Sequence, residues 1–294
     1  MRIIDLRKVT DIVKDSVIKI NYELDNSLVA LIQKAKSNET KELSKSILSD
    51  ILDNQDIARE GNIPLCQDTG IVVIFLEIGT DVKINGDIYE AINEGVRLGY
   101  DKGYLRKSVV NHPFLRENTK DNSPAIIHTK LVGGDKVKLH IAAKGGGSEN
   151  MSTVVMLTPT EGIEGVKKLV LDTIFNAGGK PCPPIIVGIG IGGNFEKSAI
   201  LAKEALLREL DDSSNDKTIK QLEDELYTEI NKLGVGPMGV GGDTTCLAVK
   251  INYFPMHIAS LPVAINIQCH SARHIEVILW LSSIHLLVMM TSNH

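Results

Sequence analysis

The hydrophobic period of this chain changes once, abruptly, near residue 61, and that change limits the folds open to it. Before it, apolar residues recur at helical spacing: Ile3, Leu6, Val9, Ile12, Val13 and Val17, then Leu28, Leu31, Ile32 and Ala35, with a further helix expected over Leu43 to Arg59. The segment Gly61-Asn-Ile-Pro-Leu-Cys-Gln-Asp-Thr-Gly70 breaks the pattern with glycines and a proline, and Ile71 to Ile78 reads as a buried strand. Downstream, strands with both hairpin-like and crossover-like connections argue against an orderly βαβ series. The expected fold is α+β, a helical N-terminal region followed by mixed α/β structure with a mixed sheet.

The later elements follow from the same patterns. Ile88 to Gly103 suits an amphipathic helix, and Ala125 to Ala143 reads as a hairpin turning at Gly133-Gly-Asp135. Helices are expected at Glu161 to Ala177, Glu196 to Leu210 and Ile219 to Leu233, and strands at Cys246 to Tyr253 and Pro262 to Ile267. Pro183 to Gly193 reads as a strand ending in a glycine turn, and Asp211 to Lys217 is the best candidate for a linker. One domain is expected over residues 1–276, followed by an atypical apolar tail over 277–294.

With 294 residues, 43% of them hydrophobic, the chain can bury a substantial core. Its net charge of −5 comes from interspersed acids and bases with no basic block, which argues against nucleic acid as a partner. The N-terminus lacks the apolar run of a secretory signal, and the apolar part of the tail is shorter than the roughly 20 residues a bilayer requires. No membrane partner is expected, and the compartment expected is the cytoplasm.

Four scattered cysteines are too few for a disulfide framework. Cys66 shares a short loop with Gln67, Asp68 and Thr69; Cys182 is held between Pro181 and Pro183-Pro184; Cys269 opens Cys-His-Ser-Ala-Arg-His274. Each of these three lies in a loop, where ligands usually lie, although isolated buried thiols are the common alternative. Cys246, inside the strand-like run Cys-Leu-Ala-Val, reads as core. Three thiolates on a four-iron cluster leave one iron able to bind substrate oxygen, the Lewis acid that dehydration of a hydroxy acid needs.

Taken together, Cys66-Gln-Asp-Thr-Gly70, Lys144-Gly-Gly-Gly-Ser148, Pro181-Cys-Pro-Pro184, His257-Ile-Ala-Ser-Leu-Pro262 and Cys269-His-Ser-Ala-Arg-His274 resemble the class I, iron–sulfur-dependent fumarate hydratase and L-tartrate dehydratase family. The resemblance runs in order from about residue 5 to about 275. It implies that Cys66, Cys182 and Cys269 bind a [4Fe-4S] cluster, that Gln67, Asp68, Arg106, Gly146 and Gly147 contact a small dicarboxylate substrate, and that His257 lies in the catalytic region. It also implies an α subunit that needs a separate β subunit, as α2β2. The reaction expected is hydration of fumarate to (S)-malate, with L-tartrate dehydration as the alternative.

Physical chemistry supports several of these roles and leaves others open. The planar fork of Arg106 suits a carboxylate, or else an ordinary surface ion pair. Elimination needs a base for carbon and an acid for the leaving hydroxide, and Asp68 and His257 are the titratable pair expected to move those protons, with the division between them undetermined. The amides of Gly145 to Gly147 can approach an anion closely or simply form a tight turn. Gly188-Ile-Gly-Ile-Gly-Gly193 formally fits a dinucleotide fingerprint, which keeps a nicotinamide-dependent oxidoreductase as one rival reading. A non-catalytic subunit whose thiolates hold Zn²⁺ is the other.

Overall fold

The computed structural model describes residues 2–279. In chain order the elements are β1 (Arg2–Ile4), α1 (Leu6–Tyr22), α2 (Asn26–Asn38), α3 (Glu42–Gly61), β2 (Ile71–Gly79), β3 (Val82–Ile84) and α4 (Ile88–Lys102). There follow β4 (Ile126–Val132), β5 (Val137–Lys144), α5 (Gly146–Glu149), β6 (Thr153–Leu157), α6 (Gly162–Ala177), β7 (Ile185–Gly192) and α7 (Phe195–Ala205). The last are α8 (Lys217–Lys232), β8 (Cys246–Phe254), β9 (Leu261–Gln268) and β10 (His274–Leu279). The fold is α+β, with a helical N-terminal region and mixed sheets, as the change of period predicts.

The chain forms two compact units. Unit 1 comprises, of the described chain, residues 2–25, 55–146 and 273–279; unit 2 comprises residues 26–54 and 147–272. The expected linker at Asp211 to Lys217 is no boundary. Within unit 2 the Asp212 carboxylate pairs with both Arg208 and Lys250, and Glu223 accepts from Arg208 and from the Ile251 and Ser214 amides, so this polar stretch is bound down by charge.

Unit 1 is built on a four-stranded sheet in the order β10-β5-β2-β4, with β2 parallel to β4 and antiparallel to β5. The expected hairpin between Ala125 and Ala143 therefore does not exist as a direct pair, because β2 lies between its two strands. The physical reason is burial: β2 is apolar on both faces, with Val72 to Leu76 all buried, and takes the interior position. The turn at Gly133-Gly-Asp135 arches over the end of β2 instead, where the Gly134 carbonyl accepts from the Asp81 amide. A Cβ on Gly79 would stand 2.2 Å from that carbonyl oxygen, so only glycine fits there. Beneath the sheet, α1 and α4 supply Val9, Val13, Val17, Ile92, Val96 and Tyr100 to a core shared with Ile74, Leu139 and Ile141. The helix begins at Leu6 rather than Ile3, since Arg2–Ile4 pairs with β3 and Asp5 caps the first turn through the Arg7 amide.

Unit 2 has its own sheet, ordered β6-β9-β7-β8, in which β7 runs parallel to β8 and antiparallel to β9. Helices α6 and α8 cover one face with Val166, Val170, Ile174, Leu222, Leu226 and Ile230. Helix α7 covers β7 from the other side, and the glycines of the fingerprint make that possible. A Cβ on Gly188 would meet the Ala202 carbonyl at 2.2 Å, and one on Gly190 the Ser198 carbonyl at 2.0 Å. These residues are strand interior under a close-packed helix, not a phosphate loop, and the dinucleotide reading loses its basis.

Of the expected tail, Val277 to Leu279 complete β10 against β5, with Val277 and Leu279 buried. The remainder lies outside the described residues. Among the described residues no helix is long and apolar enough to cross a membrane.

Candidate active site

In unit 1 the loop between α3 and β2 carries Cys66, Gln67 and Asp68. Asp68 is its hub. The carboxylate Oδ1 accepts from the Gly70 amide at 3.1 Å and from Arg106 Nη2 at 3.2 Å, while Oδ2 accepts from the Gly146 amide at 2.8 Å. A carboxylate offers about four acceptor positions, so three donors leave one lone-pair direction open, on Oδ2. The Asp68 amide in turn donates to Cys66 Sγ at 3.4 Å. The structure thus brings Cys66, Asp68, Arg106 and Gly146 into one bonded group, with Gln67 exposed beside them.

The loop is fixed from behind by side chains that sequence reasoning missed. Arg273 Nη1 donates to the Asp68 carbonyl at 2.6 Å, Tyr100 Oη donates to the Thr69 carbonyl at 2.6 Å, and Asn122 Nδ2 donates to the Gly70 carbonyl at 3.1 Å. Three consecutive carbonyls are therefore each held by a different buried residue, from β10's approach, from α4 and from the segment before β4. Burial pushes the Tyr100 phenol far up, which keeps it a donor at every ordinary pH. Asn122 Oδ1 also accepts from the Ser108 and Val109 amides, and Thr69 Oγ1 donates to the Arg106 carbonyl, so the segment bearing Arg106 is tied to the same loop. The only trace of these residues in the sequence is the arginine in the Cys269 block; single polar residues in unremarkable contexts give no periodic signal.

In unit 2, Cys182 and Cys269 lie at the same end of the sheet. Cys182 precedes β7 and Cys269 follows β9, and the register pairs Ile186 with Gln268. The Cys182 carbonyl accepts from the His270 amide at 3.3 Å and sits 2.9 Å from His270 Nδ1. Since a carbonyl can only accept, His270 carries its proton on Nδ1. Cys182 has φ +56, a left-handed conformation that a side chain adopts at a cost. Gln268 Nε2 lies 3.7 Å from Cys269 Sγ. Gly147 is exposed in α5.

His257 is elsewhere. It is exposed in the loop joining β8 to β9, where its Nδ1 accepts from the Ala259 amide at 3.1 Å. That loop meets the other end of β7, next to the pairing of Ile191 with Val263. Five residues of strand at about 3.3 Å each put roughly 17 Å between that end and the one bearing Cys182 and Cys269. The structure does not bring His257 to them within unit 2.

The thiols divide as expected by type. Cys246 is fully buried in β8, and burial pushes its pKa up to about 12, which leaves it an inert core group. Cys66, Cys182 and Cys269 are partly exposed, none of the four is in a disulfide, and polar N–H groups face two of the three sulfurs. That donor set suits an iron–sulfur cluster, whose sulfurs are tuned by such N–H contacts. Among the described residues, no group of three or more His, Cys, Asp or Glu side chains is gathered as if for a single metal ion.

Comparison with known proteins fixes the class. Residues 10–278 match the family model described as Fumarate hydratase (Fumerase). A protein of Methanocaldococcus jannaschii, named provisionally as an L(+)-tartrate dehydratase subunit alpha, is 45% identical over 273 residues, spanning 90% of this chain and 95% of its own length. The L(+)-tartrate dehydratase subunit alpha of Escherichia coli K12 is 28% identical over 271 residues, spanning 91% of this chain and 89% of its own. By class, then, this protein is a hydro-lyase. It belongs to the fumarate hydratase (Fumerase) family.

Proposed function

We propose that this chain is the α subunit of an iron–sulfur hydro-lyase that adds water reversibly to a small unsaturated dicarboxylate, with Cys66, Cys182 and Cys269 as the thiolates of a [4Fe-4S] cluster. The observation that carries the reading is the Asp68 hub: a carboxylate bonded to an arginine and to a glycine amide, on the loop of a partly exposed thiol. When bound, such a cluster supplies a Lewis-acidic iron for a substrate oxygen. The remaining work falls to the chain's own side chains. Arg106, held at Asp68 yet half exposed, turns its free guanidinium edge to a substrate carboxylate. Gln67 and the exposed Gly147 offer neutral donors. Asp68 Oδ2, with its open lone-pair direction, handles the proton on carbon. His257, the other member of the expected pair, is assigned the proton of the leaving hydroxide.

Hydration of fumarate to (S)-malate is the first reading, supported by the description of the matched family. Dehydration of L-tartrate is the second, supported by the names of the relatives. Those names also support a separate β subunit, for which an α2β2 assembly is the simplest symmetric arrangement. The test is anaerobic reconstitution with iron and sulfide, then assay of both acids with and without a co-expressed β subunit. The expected result is a brown protein, turnover only in the pair, and an Asp68→Asn variant that keeps its iron and loses turnover. A colourless protein that binds zinc, or full turnover by the single chain, would overturn the reading.

A further inference from the structure

Arg273 combines three features that a purely structural arginine has no need of. It is 3% exposed, its Nε finds no hydrogen-bond partner, and its Nη1 is committed to the Asp68 carbonyl at 2.6 Å and to Asn21 Oδ1 at 3.0 Å. A carbonyl and an amide oxygen can be satisfied by a neutral donor, whereas a buried cation carries a desolvation cost and an unsatisfied N–H adds to it. The Asp68 carboxylate lies on the other side of Gly145. A Cβ at that glycine would stand 3.1 Å from Asp68 Oδ2 and 3.3 Å from Arg273 Nη2, so carboxylate and guanidinium flank the same α-carbon. The Arg273 carbonyl accepts from the Ala143 amide at 2.9 Å, two residues before Gly145. Its side chain thus holds the Asp68 backbone while its main chain holds the strand leading to Gly146, whose amide holds the Asp68 carboxylate.

We propose that Arg273 is a positioning residue for the hydration step: by holding the Asp68 carbonyl it locks Asp68 in the orientation that leaves the Oδ2 lone pair open. This rests on the assignment of Asp68 as the proton-handling group. Arg273 touches no substrate and acts through Asp68 alone.

The test uses the cluster-loaded α/β enzyme. Arg273→Met is expected to lower kcat by about 100-fold, the order expected for a misplacement of about 1 Å, with KM and iron per chain unchanged. Added guanidinium ion should recover part of that loss. Amide exchange at Gly146 should accelerate while exchange along β2 does not, a readout that needs no activity. In an Asp68→Asn background the same substitution should cost nothing more. If Arg273→Met fails to fold, Arg273→Lys carries the comparison, with a smaller loss of kcat and the same change at Gly146. An unchanged kcat, or a loss that merely follows lost iron with activity per cluster preserved, overturns the proposal. Normal turnover in Asp68→Asn would instead remove the Asp68 assignment itself, so the two failures are told apart by which variant keeps its rate.

Discussion

The two units share a sheet plan, yet they hold their cysteine-bearing segments with a different balance of side-chain and backbone bonds. Each sheet has one parallel pair at an edge and antiparallel pairs elsewhere. In unit 1 the Cys66 loop is fixed by side chains from afar: Arg273, Tyr100 and Asn122 between them hold three consecutive carbonyls. In unit 2 the Cys182 turn rests more on its backbone, with flanking prolines, a left-handed residue and a bond from the His270 amide, to which the His270 ring adds one remote side-chain contact. A loop held by remote side chains is precise but vulnerable to single substitutions far away in sequence. A turn held by its backbone is robust to its neighbours and carries its strain locally.

The largest effect should come from the thiols themselves. Cys66→Ser, Cys182→Ser and Cys269→Ser should each cut iron content and turnover by at least about 100-fold, beyond the 10–100-fold typical of groups that only support a metal ligand. Cys246→Ala should leave iron unchanged and cost about 1 kcal/mol of stability, read by urea denaturation, because it removes only a small buried group. Equal effects at all four would erase the distinction between core and loop thiols.

Asn122→Ala is the sharper probe of the unit 1 design. It removes a fully buried side chain that serves two amides and one carbonyl, and it leaves a residue at φ +63, where alanine is unfavoured. A loss of about 3 kcal/mol is expected, together with a raised KM as Arg106 is freed. Stability and KM both unchanged would show that the loop holds itself.

Cys182→Gly probes unit 2. Glycine accepts a left-handed φ freely, so the iron-free chain should gain about 1 kcal/mol even as iron binding is lost. A destabilised variant would mean that the turn is not strained.

The smallest effect is on pH dependence and belongs to the unit 1 sheet. Burial lowers the pKa of His140, opposed by Glu276, 3.0 Å away, and by Glu77, and reinforced by Lys138; burial also lowers that of His274. A histidine whose folded pKa lies below its unfolded value binds more protons when unfolded, so stability is full above the unfolded value of about 6.5 and falls as pH drops below it. The melting temperature should decline from pH 7.5 to pH 5.5, by about the amount that one or two histidines contribute, and His140→Gln should flatten part of that slope. An unchanged slope would place the dependence on other groups.

Much of the fold was legible because it rests on periodicity, which is local. The helices over residues 6–59, the strand after Gly70 and the core position of Cys246 all follow from which neighbours are apolar. The hairpin expected between Ala125 and Ala143 failed for the complementary reason. Pairing compares all strands at once, and the doubly apolar β2 claimed the interior between β4 and β5. The glycines of the supposed fingerprint misled in the same way, since what they accommodate is α7, a partner that no spacing rule reveals.

The sequence by itself determined the residue types, the turns that carry them and the family, because each is encoded within a few consecutive positions. Only the tertiary structure decided that Asp68 gathers Arg106, Gly146 and Arg273 around it, and that His257 stands at the far end of its sheet from Cys182 and Cys269. Those relations join residues as many as 205 positions apart, and at such separations the only arbiter is which chain segments can pack and satisfy one another's buried polar groups.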